Sequence, residues 1–512
     1  MTSSESPTRH AKNMPTLGDL FAGLSVALIA VPQALAYAEL AGMPAYTGLY
    51  AMAAAALGAA FFVSSPYLQA GPVATTSLLA LGVLSQVAAP GSPEYVGAAG
   101  LLALVVGVVR MLIGALRLGA VAYLMSSSVL LGFTSAAGVL ICASQLPTAL
   151  GVTPPLDGVL AGALWSLPHP EAWRWGAVAL SGLTVAVILL GRRVHRLFPG
   201  VLVAVLLGLG YSLFLGYEGA TVGEVPTRFT FTPDLPWGLL PDLLVGGTVI
   251  ALVGFSEASS IARTYATTER RRWSANREFV SQGVANLAAG IVGGFPVGGS
   301  FSRSAINRTA GAKTRWSGAV TGLAVLAVSP FAWLIAPLPK ASLAAIVIAA
   351  VLGLIKPVEL FGLWRMSRPQ ALLAWATFVL TLALSPRIDL AVIIGVALAV
   401  GVHLWREQNL GFEAWLENET LHVRPHGVLW FGSAYRLETY FGDVLSKYPD
   451  SDKLVVHLAG LGRVDLNAAL VLKQLLEDAR AAGFAVTLEG TPPKAERWLG
   501  LWQGNQKSNI EN

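Results

Sequence analysis

The sequence predicts a polytopic α-helical membrane protein with a small α/β domain at its C-terminal end. Three observations carry this prediction. Hydrophobic residues make up 54% of the 512 residues and charged residues only 12%, too little charge to cover a soluble surface. Apolar runs close to the ~20 residues of a bilayer span recur along most of the chain. After Arg406 the pattern shifts to short, mixed segments.

Asp19 to Leu40, Gly97 to Leu116, Trp175 to Leu190, Leu240 to Ala262 and Leu390 to Leu404 each read as a span. Residues 1–14 are polar, lack the apolar core of a cleaved secretory signal, and read as a cytoplasmic tail. Residues 15–406 form the expected membrane domain. Basic residues cluster at alternate connections: Arg9/Lys12, Arg117, Arg192/Arg193/Arg196, Arg270/Arg271/Arg272/Arg277, Lys313/Arg315, Arg365/Arg368 and Arg406. By the positive-inside rule these face the cytoplasm, which puts both termini inside and requires an even number of crossings. The pI of 9.3 is thereby explained by topology, without a nucleic-acid partner. The connection from Thr221 to Leu235, rich in Thr and Pro, is read as an external strand pair. The single cysteine, Cys142, excludes an internal disulfide and a multi-cysteine metal site, and reads as a buried structural thiol.

Beyond the spans, Leu421 to Arg424 and Val428 to Phe431 read as strands, and Ala434 to Lys447 as an amphipathic helix. Lys453 to Leu458 follows as a buried strand, Asn467 to Ala481 as a second helix ended by Gly483, and Ala485 to Leu488 as a last strand. Alternation of this kind predicts a partly parallel sheet within residues 410–500. Residues 501–512 read as a flexible tail.

Two apolar stretches are interrupted. One is Ser64-Ser65-Pro66-Tyr67-Leu68-Gln69-Ala70-Gly71-Pro72-Val73-Ala74-Thr75-Thr76. The other is Gly293-Gly294-Phe295-Pro296-Val297-Gly298-Gly299-Ser300-Phe301-Ser302-Arg303-Ser304. Pro72 suits an extended approach to a short helix that begins inside the membrane, and the second stretch runs into a serine-capped helix start. Broken backbone is tolerated at that depth only where protein or a water-filled cavity satisfies it. A pair of such breaks points to a transporter's binding site. Each helix start offers unpaired N–H groups and about half a positive charge, so two together suit an anion. Kinked structural helices without a ligand are the alternative.

Four side chains add to this reading. Arg303 costs roughly 3 kcal/mol at mid-bilayer, whereas a helix terminus contributes about 0.3–2 kcal/mol to holding a charge, so the arginine adds materially to anion attraction. Its other reading is an interfacial cation beside Arg308 and Lys313. Glu257, in the run Val249 to Ala258, is an intramembrane carboxylate and a candidate for coupling or for organising the site; it is also placed to pair with Arg303. Gln33 is a polar group in apolar surroundings, and Tyr37 lies one turn further on the same face. Glu39 reads as interfacial. No nucleophile–base pair, zinc spacing or phosphate-binding loop occurs, so no catalytic residue, metal site or cofactor is assigned.

These residues resemble the sulfate permease (SulP) family of anion transporters over nearly the whole chain. The motifs are VPQALAYAELAGMPAYTGLYA, QAGPVATTSL, GFSEASSIARTYA, GGSFSRSAINRTAGAKTRWSG and LPKASLAAIVIAAVLGLI. The family often has Ser-Ser-Arg before the third helix, whereas Pro66 follows Ser64-Ser65 here. The resemblance implies a 7+7 inverted repeat of about 14 membrane segments, with a core domain moving against a gate domain like an elevator. It implies a substrate site between the third and tenth half-helices, made by Gln33, Tyr37, the backbone of Val73, Ala74 and Thr75, and Ser302 with Arg303. Glu257 matches the acidic position of the eighth helix. The C-terminal end resembles the family's STAS domain, but Asp465-Leu466-Asn467-Ala468 lacks the serine that its stand-alone bacterial relatives phosphorylate. A homodimer in the cell (inner) membrane is implied.

The function expected is secondary transport of a small inorganic or carboxylate anion (sulfate, dicarboxylate or bicarbonate) by proton-coupled symport. Sodium is the other coupling ion considered, because a carboxylate also helps bind Na⁺. A sodium-coupled bicarbonate-type symporter, an anion channel and a nucleobase permease are the alternatives.

Overall fold

The computed structural model describes residues 14–123, 125–195, 198–223 and 234–491. Chain contacts divide into two units at Val396/Ala397, a point inside a helix.

The first unit is built from two helical bundles that alternate along the chain. The core bundle begins with α1 (Leu17–Leu40), α2 (Thr47–Phe62), β1 (Ala70–Gly71), α3 (Ala74–Leu84) and α4 (Pro93–Ala115). The gate bundle takes α5 (Ser127–Leu150), α6 (Val159–Ser166), α7 (Trp175–Val194) and α8 (Gly200–Leu215). The core resumes with α9 (Leu240–Thr268), α10 (Ala275–Ile291), β2 (Gly298–Gly299), α11 (Phe301–Thr309) and α12 (Trp316–Val328). The gate closes with α13 (Lys340–Val351), α14 (Pro357–Met366), α15 (Arg368–Ala383) and α16 (Ile388–Glu407). In the core, α4 lies along α10, α2 packs against both α10 and α12, and α9 packs on α4 and α3. In the gate, α5 packs against α13 and α15, and α7 against α13 and α8.

Local signals explain where the helices start. Thr16 and Asp19 form a capping box on α1, and Ser92 with Pro93 opens α4, each satisfying N–H groups that the first turn leaves free. The Asp19 carboxylate does more than cap. Fully buried, it also accepts from the Lys313 and Thr314 amides at 2.8 and 2.7 Å and from the Thr314 hydroxyl at 2.9 Å. It thereby ties the start of α1 to the connection between α11 and α12.

Alanine and glycine fill the helix contacts, whereas Phe21, Leu24, Phe214, Leu244 and Phe361 point outward and are exposed. An apolar exterior is what hydrocarbon, not water, requires. Among the described residues, seven helical stretches are long and apolar enough to cross a bilayer. The free thiol of Cys142 is only partly buried, at the margin of the core, not fully enclosed as its apolar run suggested.

The expected external strand pair falls largely outside the described residues, which cover the segment only at 221–223 and 234–235. Thr221 bridges Pro339, and the amides of Val222 and Gly223 donate to Leu338 and Ala336. The segment therefore pairs with the approach to α13, and residues 224–233 lie outside the described residues. So do the tails at 1–13 and 492–512.

The second unit carries β3 (Gly411–Glu417), β4 (Thr420–Leu429), α17 (Ala434–Lys447), β5 (Lys453–His457), β6 (Leu461–Val464), α18 (Leu466–Ala481) and β7 (Ala485–Glu489). The sheet order is β3-β4-β5-β7, with β6 also on β4; β3 is antiparallel to β4 and the other pairings are parallel. Leu437, Phe441 and Val444 of α17 and Leu472, Leu476 and Ala479 of α18 recur at helical spacing and are buried with Leu421, Val423, Leu454 and Val456 of the sheet. Burial of each large side chain contributes about 1.5–3 kcal/mol. Where two strands were expected, β4 runs unbroken through Pro425. That proline, which has no N–H, falls between the stretch paired to β5 and the stretch paired to β6. The stretch from Glu413 to Asn418, polar by composition, is mostly strand β3, because a hairpin edge needs only one apolar face.

Candidate functional site

The two interrupted stretches meet. β1 and β2 cross antiparallel, pairing Ala70 with Gly299 and Gly71 with Gly298. Each then runs directly into a short helix, α3 or α11. The Ser300 amide donates to the Gln69 carbonyl at 3.0 Å, and the Gln69 amide donates to Ser304 Oγ at 3.0 Å, which fixes the crossing. Gly71 sits at φ +155°. A Cβ there would run into the Met52 sulfur and lie 3.2 Å from Arg303 Nη2.

A cavity of about 390 Å³ opens at the two helix starts. Its lining includes Tyr37, Val73, Ala74, Thr75, Glu257 and Ser302. Six of the eight residues singled out from sequence are therefore gathered at one place from α1, α3, α9 and α11. Val73 precedes α3 with extended backbone and no side-chain cap, so the first amides of that helix stay open to a ligand. At α11 the Ser300 hydroxyl accepts from the Arg303 amide at 3.4 Å, and Ser300 and Ser302 hydroxyls lie 3.3 Å apart.

Gln33 and Arg303 stand behind this lining, not on it. Arg303 is fully buried. Its Nη2 donates to the Pro72 carbonyl at 2.8 Å, and its Nη1 to Gln33 Oε1 at 3.4 Å. Its Nε has no hydrogen-bond partner. Arg303 thus braces the strand that leads into α3, and its charge reaches the cavity through space. Glu257 does not pair with it; the carboxylate accepts from the Thr75 hydroxyl at 2.9 Å. Glu39 forms an ion pair with Lys340, the first residue of α13, at 2.9 Å.

Several polar residues escape sequence reasoning. Arg110, inside the apolar run of α4, is fully buried and donates to the carbonyls of Val297, Ala251 and Ile250 at 2.9, 3.0 and 3.2 Å. Asn286 donates to the Val297 carbonyl at 3.1 Å and accepts from its amide at 2.9 Å. An intramembrane arginine is itself a signal by cost, but near a helix end it reads as interfacial. Lys356 also lines the cavity and reaches Glu359 at 2.9 Å.

Two helix starts that cross at the wall of an open cavity are what an anion carrier needs, and comparison with known proteins agrees. The sulfate permease family profile matches residues 17–377. The chain belongs to this family. It is 32% identical to "Probable sulfate transporter 4.2" of Arabidopsis thaliana, across 94% of this chain and 77% of that protein. The murine solute carrier 26 family member A9 anion transporter, solved in the inward-facing state, superposes with a TM-score of 0.86 over 97% of this chain and 92% of that one, at 20% identity. The transmembrane domain of the cyanobacterium bicarbonate transporter BicA superposes with a TM-score of 0.64 at 27% identity, covering 75% of this chain and 97% of that one. As a family member the chain is a multi-pass membrane protein and a secondary transporter of anions, not an enzyme. It has the core-and-gate helical fold and a small C-terminal α/β domain.

Proposed function

We propose that this protein carries a small divalent or monovalent anion (sulfate, a dicarboxylate or bicarbonate) together with a proton, binding it where α3 and α11 begin. The observation that carries the reading is the antiparallel crossing of β1 and β2 at the mouth of a 390 Å³ cavity. Two helix starts there direct their free amides and partial positive charge at one point. In this reading Val73, Ala74 and Thr75 offer backbone, Tyr37 and Ser302 offer hydroxyls, and Arg303 supplies charge from behind while Gln33 orients it. Glu257, held by Thr75, is the proton carrier. The name of the Arabidopsis relative favours sulfate. The likeness to a bicarbonate transporter favours bicarbonate as the anion, and the second reading is a sodium-coupled bicarbonate-type symporter.

The mechanism we propose is an elevator movement of core against gate, with the Lys340–Glu39 ion pair breaking as α1 and α13 part. We assign 14 membrane segments in a 7+7 repeat: α1–α5, α7 and α8, then α9–α13, α15 and α16. Domain limits are proposed at 1–14, 15–406, 410–500 and 501–512, with residues 410–500 a STAS domain in the cytoplasm, both termini inside the cell membrane, and a homodimer as the assembly. Asp465 caps α18 by accepting from the Ala468 amide at 2.8 Å, a structural duty that suits a STAS domain not switched by phosphorylation at that point.

Uptake into proteoliposomes of the purified protein, with sulfate, bicarbonate and succinate in parallel, tests the reading. Accumulation of one anion under an inward-acid gradient without sodium is the expected result. Accumulation only with sodium selects the second reading, and currents without stoichiometric uptake overturn both.

A further inference from the structure

The anion site described above has one obvious buried cation, Arg303. A second, Arg110, stands on the other side of the crossing. Its three hydrogen bonds all end on main-chain carbonyls, two from the middle of α9 and one from Val297 just before β2. Carbonyl groups satisfy the guanidinium's N–H donors but do not cancel its charge. Arg303 is in the same condition, bonded to a carbonyl and an amide oxygen. Among the described residues, no ion pair includes either arginine.

Arg110 is also close to the site. A Cβ on Gly254 would lie 2.6 Å from Arg110 Nη2 and 2.8 Å from the Thr76 methyl, so the guanidinium abuts the first turn of α3. The next residue along, Thr75, lines the cavity and donates to Glu257. Of the fully buried carboxylates in the core bundle, Glu278 sits two helical turns before Asn286 and accepts from the Ser64 amide, and Asp19 is saturated at the start of α1. Glu257 is the one acid on the cavity lining. With Glu257 protonated and the lining Lys356 paired to Glu359, two buried positive charges remain behind the lining, and a single divalent anion balances them.

We infer that Arg110 is a positioning and specificity-determining residue whose uncompensated charge makes the site prefer divalent over monovalent anions. It rests on the anion-site reading above. It acts without touching the anion, by holding the approach to α11 against α9 and by its field. A unit charge on the order of 10 Å away, at an effective dielectric near 20, changes affinity by roughly tenfold for each charge on the ligand. Removing it therefore lowers discrimination between a divalent and a monovalent anion by about tenfold.

The test compares sulfate and nitrate binding, by calorimetric titration of the full-length purified protein, in the wild type, Arg110→Gln and Arg110→Lys. Glutamine keeps a donor for the carbonyls and removes the charge; lysine keeps the charge and loses the three-way geometry. The expected result is a sulfate-to-nitrate affinity ratio about tenfold lower in the glutamine variant and restored to near the wild-type value in the lysine variant. A folded glutamine variant with an unchanged ratio overturns the inference, as does equal loss of both anions. Where the glutamine variant does not fold, a folded lysine variant with lost discrimination overturns it equally. A wild type that binds neither anion removes the anion-site reading itself, which is a different failure.

Discussion

The two broken segments reach the same point by different means. The first, β1 into α3, arrives bare: no side chain caps α3, and its bracing comes from Arg303, contributed by the other segment. The second, β2 into α11, caps itself with Ser300 and is braced from outside by Arg110 and Asn286 through one residue, Val297. A helix start that keeps its amides free can give them to a ligand, whereas one that has used an amide on its own serine is held more firmly but offers less. The contrast assigns α3 to binding and α11 to support and charge.

If that division is right, Arg303→Ala has the largest effect. It removes the brace on Pro72 and the charge together, and anion uptake is expected to fall to background while the protein still elutes as a folded species in size-exclusion chromatography. Loss of folded protein in proportion to lost uptake would reduce Arg303 to a structural strut. Next comes Glu257→Gln, which keeps a partner for the Thr75 hydroxyl but cannot titrate. Uptake in this variant is expected to lose its dependence on the pH gradient while binding persists, measured as initial rates at symmetric and inward-acid pH; an unchanged dependence would exclude Glu257 as the proton carrier.

Asn286→Ala sharpens the comparison from the support side. It leaves the Val297 amide without its partner, while the carbonyl keeps Arg110, at about 1–3 kcal/mol for an unmet group. A thermal midpoint lower by several degrees is expected, with anion affinity in the surviving protein changed less than twofold. Smallest is Ser300→Ala, which removes a cap worth about 1 kcal/mol. It is expected to reduce uptake by no more than about fivefold, and a larger loss than Arg303→Ala would invert the division of labour.

Much of this was legible beforehand. Pro72 and the glycines at 293–299 announced two breaks, and both breaks are where α3 and α11 begin. The helix expected at Ala434 to Lys447 spans those residues as α17, because its apolar residues recur at one period and nothing else competes. What failed to show were pairings. Arg110 is one polar letter in an apolar run, and nothing near it in sequence names Val297 as its acceptor, 187 residues away. Thr221 likewise meets Pro339 and not a neighbour in its own loop.

The sequence by itself determined which segments leave water, where their helices break, and that a glutamate sits within an apolar run and an arginine beside a broken one. Those are local properties, set by transfer free energy and by the backbone chemistry of proline, glycine and serine. Only the tertiary structure decided that the two breaks cross, that Arg303 and Gln33 stand behind the cavity while Thr75 and Glu257 join at its wall, and that Arg110 holds the approach to α11 against α9. The reason is physical: a buried donor must find an acceptor, but periodicity along a chain says only that one is needed, and the packing of helices far apart in sequence chooses which.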